Sequence, residues 1–151
     1  MSRYYDVQDN IENLPDVISY YEKLLSEAKV DCAITGNLEK AAAEMPPKVE
    51  KWFNHLQEIE AILEHLNIQL RKLKSRKFRK YLENYNKSLS SRDCDKFVDG
   101  EDDIVDFENI VNGFAFLRNK FIGVVKGLEN KSFSLNNIIR LRCAGLDDAS
   151  L

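Results

Sequence analysis

Hydrophobic residues recur at helical spacing along most of the chain, and the most regular stretch begins after Lys48. The separations alternate between three and four positions, which is the repeat of a coiled-coil seam that requires a facing helix. The pattern predicts a helix over about 47–86, which would be roughly 60 Å long at 1.5 Å per residue. The apolar positions of this seam are Val49, Trp52, Leu56, Ile59, Leu63, Leu66, Leu70 and Leu73.

A second amphipathic helix is predicted after a polar surface connection over residues 86–103, and it is expected to end before Asn130. It would pack against the first helix as its antiparallel partner. Gly113, Gly123 and Gly127 each cost about 1 kcal/mol inside a helix, which favours close approach of another helix, such as one from a neighbouring subunit. The apolar positions are Ile104, Phe107, Val111, Phe114, Leu117, Phe121, Val124 and Leu128.

Shorter elements precede this predicted hairpin. Residues 1–13 are polar and indicate a loosely held arm. Apolar residues at helical spacing then predict a helix from Leu14 to about Val30, with a proline at an early helical position. Asn37 is expected to cap a short helix that stops at the proline pair beginning at Pro46.

The end of the chain predicts one more short helix, which Ser134 would cap and Gly145 would end. No stretch alternates apolar and polar residues with the period of two that is typical of strands. The predicted fold is therefore all-α: a long, coiled-coil-like helical hairpin with short flanking helices in a single domain. Its segments are an N-terminal helical part (1–45), the hairpin (46–130), and a short C-terminal helix with a tail (131–151).

The positive charge is concentrated in residues 71–80, called here the basic run, where seven of ten residues are Lys or Arg. The whole chain carries 22 Lys and Arg against 25 Asp and Glu, so this concentration is local. Such segregation costs self-repulsion and indicates a polyanionic partner. Aromatic residues among and after the cations offer flat faces for unstacked bases, which favours single strands over duplex. The predicted nucleic-acid-binding residues are Arg71, Lys72, Lys74, Arg76, Lys77, Phe78, Arg79, Lys80, Tyr81 and Tyr85, with Arg140 and Arg142 as weaker candidates.

Two other interpretations of the basic run stay open. It is also what a solvated, strongly charged helix face looks like. Alternatively, the protein is a structural coiled-coil scaffold or virion component whose basic run docks on the acidic 93–108 segment of a neighbouring copy. Residues 92–108 hold eight acids, so that segment has the charge this contact needs. Salt-dependent binding to a single strand distinguishes these interpretations.

The sequence does not indicate an enzyme, a metal or a cofactor. It has no Gly-rich phosphate-binding loop, and residues 93–103 lack the ligand spacing of an EF-hand. His55 and His65 lie about 15 Å apart along one predicted helix, so they are expected to be separate surface histidines. The three cysteines show no CxxC spacing. Without a long apolar run, we expect a cytoplasmic protein with no membrane contact.

The apolar seams and large aromatic residues exceed what one hairpin can bury, and this excess predicts a homo-oligomer. A charge at Leu63 would then dissociate or unfold it, because burying an unpaired charge is costly. The expected interface residues are Trp52, Leu56, Ile59, Leu63, Leu66, Phe114 and Phe121.

Short motifs along the chain resemble those of the UvsY family of phage recombination mediators. The similarity begins with the alanines at 41–43 and Lys-Trp-Phe-Asn at 51–54, and continues with Lys-Phe-Arg at 77–79. It extends through Asp-Lys-Phe-Val-Asp-Gly-Glu-Asp-Asp at 95–103 and closes with residues 130–138.

The resemblance implies a ring-forming homo-oligomer, a heptamer in the family's best-known member, that binds single-stranded DNA. It implies no enzymatic activity. Such a mediator loosens the hold of the phage single-strand-binding protein and helps to load a RecA-like recombinase in the cytoplasm of the host cell. Its action would be geometric, with the modest sites of several subunits summed into high avidity.

Overall fold

The structure is a computed structural model that describes residues 2–84 and 89–146. This part of the chain is helical and contains no strand, which confirms the predicted all-α fold. The helices are α1 (Arg3–Asp9), a 3-10 turn (Ile11–Asn13), α2 (Leu14–Cys32), α3 (Leu38–Ala43), α4 (Met45–Asn84), α5 (Ser91–Asp99) and α6 (Asp102–Cys143).

Helices α4 and α6 form the long hairpin around which the other helices pack. They run antiparallel, because Trp52 near the start of α4 lies 5.7 Å from the ring of Phe121, while Lys74 near its end meets Glu108. The seam predicted from the 3-4 spacing faces the core: its five central members are buried, and its ends are partly exposed. Local periodicity was sufficient here because the buried face of an amphipathic helix is set by the sequence itself.

The start of α4 shows how proline can begin a helix as well as end one. Pro46 and Pro47 lie in its first turn, where a missing N–H costs nothing because that group has no intrahelical partner. The preceding α3 is capped as predicted, since Asn37 Oδ1 accepts hydrogen bonds from the backbone N–H groups of Glu39 and Lys40.

The predicted break before Asn130 is wrong, because α6 continues without interruption to Cys143. Residues Leu128, Lys131 and Leu135 extend its buried stripe at helical spacing, and Lys131 Nζ donates to the carbonyl oxygen of Asp31 at 2.7 Å. Packing against α2 therefore overrides the local preference of the serines and asparagines for a cap. The helix ends as predicted at Gly145, which has φ +72°.

The N-terminal residues are not a loosely held arm. They form α1 and the 3-10 turn, and Val7 is buried against the core. Glu58 of α4 holds this segment: one carboxylate oxygen accepts from the Ser2 hydroxyl and from Tyr4 N–H, and the other accepts from the Tyr21 hydroxyl at 2.7 Å. This anchor joins α1, α2 and α4, and no local pattern in the first thirteen residues announces it.

The polar connection over 86–103 also contains a helix, although residues 85–88 lie outside the described residues. Helix α5 is capped by Ser90, whose hydroxyl accepts a hydrogen bond from Asp93 N–H, and it buries Cys94 and Val98. Two buried residues four positions apart are too few to give a recognisable helical pattern among acids and turn formers. The sequence therefore predicted a surface connection here.

The seven residues predicted to form an oligomer interface lie inside a single chain, where each is between 0% and 8% exposed. Helices α1 and α2 cover surface that the predicted hairpin alone would leave open. In this conformation these side chains offer almost no surface to a second copy. The seven are Trp52, Leu56, Ile59, Leu63, Leu66, Phe114 and Phe121.

The close approach expected at the glycines of α6 is found at one of the three. A Cβ atom added to Gly127 would lie 3.2 Å from Cys32 Sγ, so the approaching helix is α2 of the same chain. Gly113 and Gly123 face open space in the described part of the chain. No described helix is both long enough and apolar enough to cross a membrane.

Candidate nucleic-acid interface

The basic run forms the last part of α4 and is helical throughout. Lys, Arg and Leu are good helix formers, and the run contains no glycine or proline to interrupt it. A helix turns by 100° per residue, so the seven cations, although close together in the sequence, point to different sides of the helix. The structure therefore separates the predicted site residues onto an outward face and a face turned toward α5 and α6.

The outward face carries an open depression with a volume of about 670 Å³. It extends from Ile68 to Arg79, about 16 Å along the helix axis at 1.5 Å per residue. Lys72, Arg76 and Arg79 are exposed there and form no ion pair with another described residue. The lining residues are Ile68, Gln69, Arg71, Lys72, Ser75, Arg76 and Arg79.

Arg71 and Lys80 complete the exposed cations of the basic run. The guanidinium of Arg71 lies 2.9 Å from Glu64 Oε1, and both side chains are mostly exposed. Exposed ion pairs of this kind contribute about 0 to 1 kcal/mol, so a phosphate can replace the carboxylate at little cost. Arg71 is thus compatible with the outward cationic surface.

The other face of the basic run is occupied by carboxylates of the same chain. Lys74 Nζ lies 2.8 Å from Asp99 and 2.6 Å from Glu108. Lys77 Nζ lies 2.9 Å from both Glu101 and Asp103. Hydrogen bonds to these carboxylates raise the pKa of each lysine, so both stay charged. These four acids, Asp99, Glu101, Asp103 and Glu108, are called the acidic clasp below.

The aromatic candidate Tyr81 belongs to this clasped face. Its hydroxyl donates to Glu101, and its ring stacks on Phe97 with centroids 5.8 Å apart and planes 22° apart. Hydrogen bonds from Tyr81 and Lys77 lower the pKa of Glu101. Phe78 is partly buried and lines a depression with Val98, while Tyr85 lies outside the described residues.

The sequence identified the basic run but did not reveal that the acidic clasp of the same chain covers one face of it. The signal was present, because eight acids occupy residues 92–108, but the sequence analysis assigned their contact to a neighbouring copy. The weaker candidates Arg140 and Arg142 are exposed in the last turn of α6. Arg140 lies about 48 Å along that helix from Glu108, so within one chain it cannot extend the basic run.

The described residues contain no group of three or more His, Cys, Asp or Glu side chains that could hold a metal ion. His55 is not a surface histidine as predicted: it is half-buried among the rings of Tyr21, Trp52 and Phe121, and this burial lowers its pKa. The cysteines at 32, 94 and 143 are unpaired.

An exposed row of cations on an otherwise acidic, all-helical chain is the form of a protein that binds a polyanion locally. Comparison with known families agrees with this class. Residues 23–144 match the family described as recombination, repair and ssDNA binding protein UvsY, and the chain belongs to that family. The resemblance found in the motifs is thereby confirmed. No curated protein and no solved structure matches the chain.

Family membership supports a role in recombination and repair that includes binding of single-stranded DNA. The matched residues include all of the basic run and the acidic clasp. Both surfaces therefore lie in the part of the chain that defines the family.

Proposed function

We propose that this protein is a non-enzymatic recombination mediator that binds single-stranded DNA through the outward face of the basic run. The observation that carries the proposal is the row formed by Lys72, Arg76 and Arg79, which are exposed and follow one another at helical spacing. A rigid helix holds this row in one line, so it can follow a strand's phosphates with little ordering cost.

The chemistry of the outward face suits a single strand of any sequence. Each phosphate that a Lys or Arg neutralises releases a counterion, and this term does not depend on the bases. Ser75 and Gln69 add hydrogen-bond donors beside the cations, while Ile68 adds an apolar contact for an exposed base.

Assembly and protein partners complete the proposed mechanism. One subunit offers only a few phosphate contacts, so a homo-oligomer, a heptamer by analogy with the family's best-known member, would multiply them into stable binding. Wrapping the strand in this way would loosen the single-strand-binding protein and present DNA to a RecA-like recombinase. This role belongs to phage recombination, repair and recombination-dependent replication in the host cytoplasm.

The proposal is tested by replacing Lys72, Arg76 and Arg79 with Ala and titrating a labelled single strand at several salt concentrations. We expect lower affinity and a flatter logarithmic salt dependence, by about 0.7 for each phosphate that is no longer neutralised. The matched control replaces Lys23, Lys29 and Lys126, which are exposed elsewhere and carry the same total charge. Equal decreases in affinity in the two variants, or no decrease in the first, would contradict the assignment.

The scaffold interpretation predicts a different result for the same variants. Its essential contact, between the basic run and the acidic segment, already occurs within one chain through Lys74 and Lys77. If the protein were nevertheless a scaffold, the outward-face variant would lose native mass in sedimentation while its weak DNA affinity stayed unchanged. Recombinase loading is measured separately, as recombinase filament formation on strands covered by single-strand-binding protein with and without this protein.

A further inference from the structure

The clasped face of the basic run carries the same kinds of groups as the outward face, but the chain itself occupies them. Lys74 and Lys77 each contact two carboxylates, and their side chains keep 33% and 22% of their surface exposed. Tyr81 is stacked on Phe97. The face is thus covered while its cations remain within reach of solvent and of an incoming anion.

The groups that cover this face, carboxylates and an aromatic ring, resemble the phosphates and bases through which a protein binds a single strand. Carboxylates stand where phosphates would neutralise the lysines, and a flat ring stands where a base would stack on the tyrosine. Both come from one continuous stretch, Phe97 to Glu108. We propose that the acidic clasp, together with Phe97, is an internal competitor of single-stranded DNA for Lys74, Lys77 and Tyr81.

The clasp's ion pairs are suited to exchange because they are not deeply buried. Asp99 and Asp103 are 63% and 47% exposed, and Glu108 and Glu101 are 40% and 28% exposed, so water and salt screen their attraction to the lysines. Helix α5 is also held by the burial of Cys94 and Val98. Its position therefore does not depend on the ion pairs alone, and a phosphate can take a carboxylate's place while α5 stays packed.

The competition has a defined thermodynamic consequence. A lysine paired with a carboxylate must give up that partner before it binds a phosphate, so the free energy of contact is reduced by the free energy of the broken pair. Because each clasped lysine has two carboxylate partners to displace, it contributes less to affinity in the native protein than it would without them. Removing the clasp adds up to one phosphate contact for each released lysine and steepens the salt dependence by about 0.7 for each.

The test releases one lysine at a time. The variant Glu101→Gln/Asp103→Asn removes both carboxylates that contact Lys77, and Asp99→Asn/Glu108→Gln removes both that contact Lys74. The matched control, Asp102→Asn/Asp106→Asn, removes two exposed acids of the same stretch that pair with neither lysine. All three lose two negative charges, so a general reduction of repulsion toward DNA affects them equally.

We expect each release variant to bind a labelled single strand more tightly than the control does. Its advantage should grow about fivefold for each tenfold reduction in salt, since 0.7 logarithmic units correspond to that factor. Adding Lys77→Ala to Glu101→Gln/Asp103→Asn should abolish the advantage, whereas Lys77→Ala in the native protein should change affinity little. Circular dichroism checks folding, and if one release variant does not fold, the other tests the same competition.

This inference rests on the proposed function, and the two fail differently. If the native protein does not bind a single strand, or the outward-face variant binds as well as native, the proposed function is wrong. If native binding depends on the outward face but the release variants equal the control, or keep their advantage without Lys77, the clasp is not a competitor. A release variant that binds more weakly than native assigns the clasp a structural role instead.

Discussion

Glu58 offers the sharpest test of the packing that the sequence did not predict, because three donors from the first four residues and α2 converge on its carboxylate. They are the hydroxyls of Ser2 and Tyr21 and the backbone N–H of Tyr4. The substitution Glu58→Gln keeps the size of the side chain but removes its charge. We expect it to destabilise the fold by weakening the attachment of the N-terminal helices to α4.

The magnitude follows from these contacts. Hydrogen bonds to a charged group contribute about 1.5 to 3 kcal/mol each and neutral ones about 0.5 to 1.5 kcal/mol. Glu58 is only partly buried, so water lowers these values, and the neutral amide of the variant would keep some of the bonds. The decrease in stability for the three together should therefore be about 1 to 3 kcal/mol. For a chain of 151 residues, each kcal/mol lowers Tm by about 2 to 4 °C, so the expected decrease is about 2 to 12 °C.

The pH dependence provides a second, independent readout. Burial acts to raise the pKa of Glu58, but the hydrogen bonds from Ser2, Tyr21 and the backbone outweigh it, and the pKa is lowered in the folded protein. The stabilisation is therefore fully present above the unfolded pKa of about 4.3 and is lost as the pH falls through the lower, folded pKa. The Tm difference between native and Glu58→Gln should shrink over that range.

The assay is thermal unfolding followed by circular dichroism from pH 7 to pH 3. The control is Glu50→Gln, a change of the same type at an exposed position of the same helix. Equal Tm values for the two variants would show that the carboxylate of Glu58 does not anchor the N-terminal segment. A difference that persists unchanged to pH 3 would refute the role of its charge.

Two further predictions concern the core and the open face of α6. Leu63→Asp should abolish the helical circular dichroism signal instead of releasing folded subunits. Leu63 is buried within one chain, and an unpaired buried charge costs several kcal/mol. The control is Ala61→Asp, at an exposed position of the same helix. Gly123→Ala should raise Tm, since alanine favours a helix by about 1 kcal/mol over glycine and its Cβ would contact no other atom. Gly127→Ala should raise Tm less, because its Cβ would lie only 3.2 Å from Cys32 Sγ. A concentration-dependent loss of stability in Gly123→Ala would instead show that a second copy packs on this face.

The hairpin was predictable because its information is local. The 3-4 spacing of apolar residues in α4 defines a buried face whatever packs against it. The errors fall where a tertiary contact overrides a local preference. Ser134 has the residue type of a cap, but the burial of Leu128 and Leu135 on either side of it continues α6. Likewise, α1 is too short to show an apolar stripe, and it is fixed mainly by Val7 and by a carboxylate that lies far away in the sequence.

A related reason explains why the sequence did not predict that Trp52 and the other six expected interface residues are buried within one chain. The sequence showed more apolar surface than a two-helix hairpin can cover, which is correct for the hairpin alone. It did not show that α2 packs against α6 of the hairpin and places Tyr21 against Phe121. Periodicity gives the face that a helix buries but not the identity of the element that covers it, so a covering helix of the same chain and a second subunit produce the same pattern.

The same reasoning limits what a charge run can predict about affinity. Seven cations in ten residues suggest seven phosphate contacts, but the acidic clasp occupies Lys74 and Lys77. The exposed pair between Arg71 and Glu64 can be exchanged for a phosphate at little cost. Five cations of the basic run then remain available in one subunit, which limits their contribution to the logarithmic salt slope to about 3.5, at about 0.7 for each contact. Tight binding at physiological salt then requires either more subunits or release of the clasp. The two routes are separable, because avidity falls when the protein is diluted below its assembly concentration, whereas release of Lys74 and Lys77 raises affinity at any protein concentration.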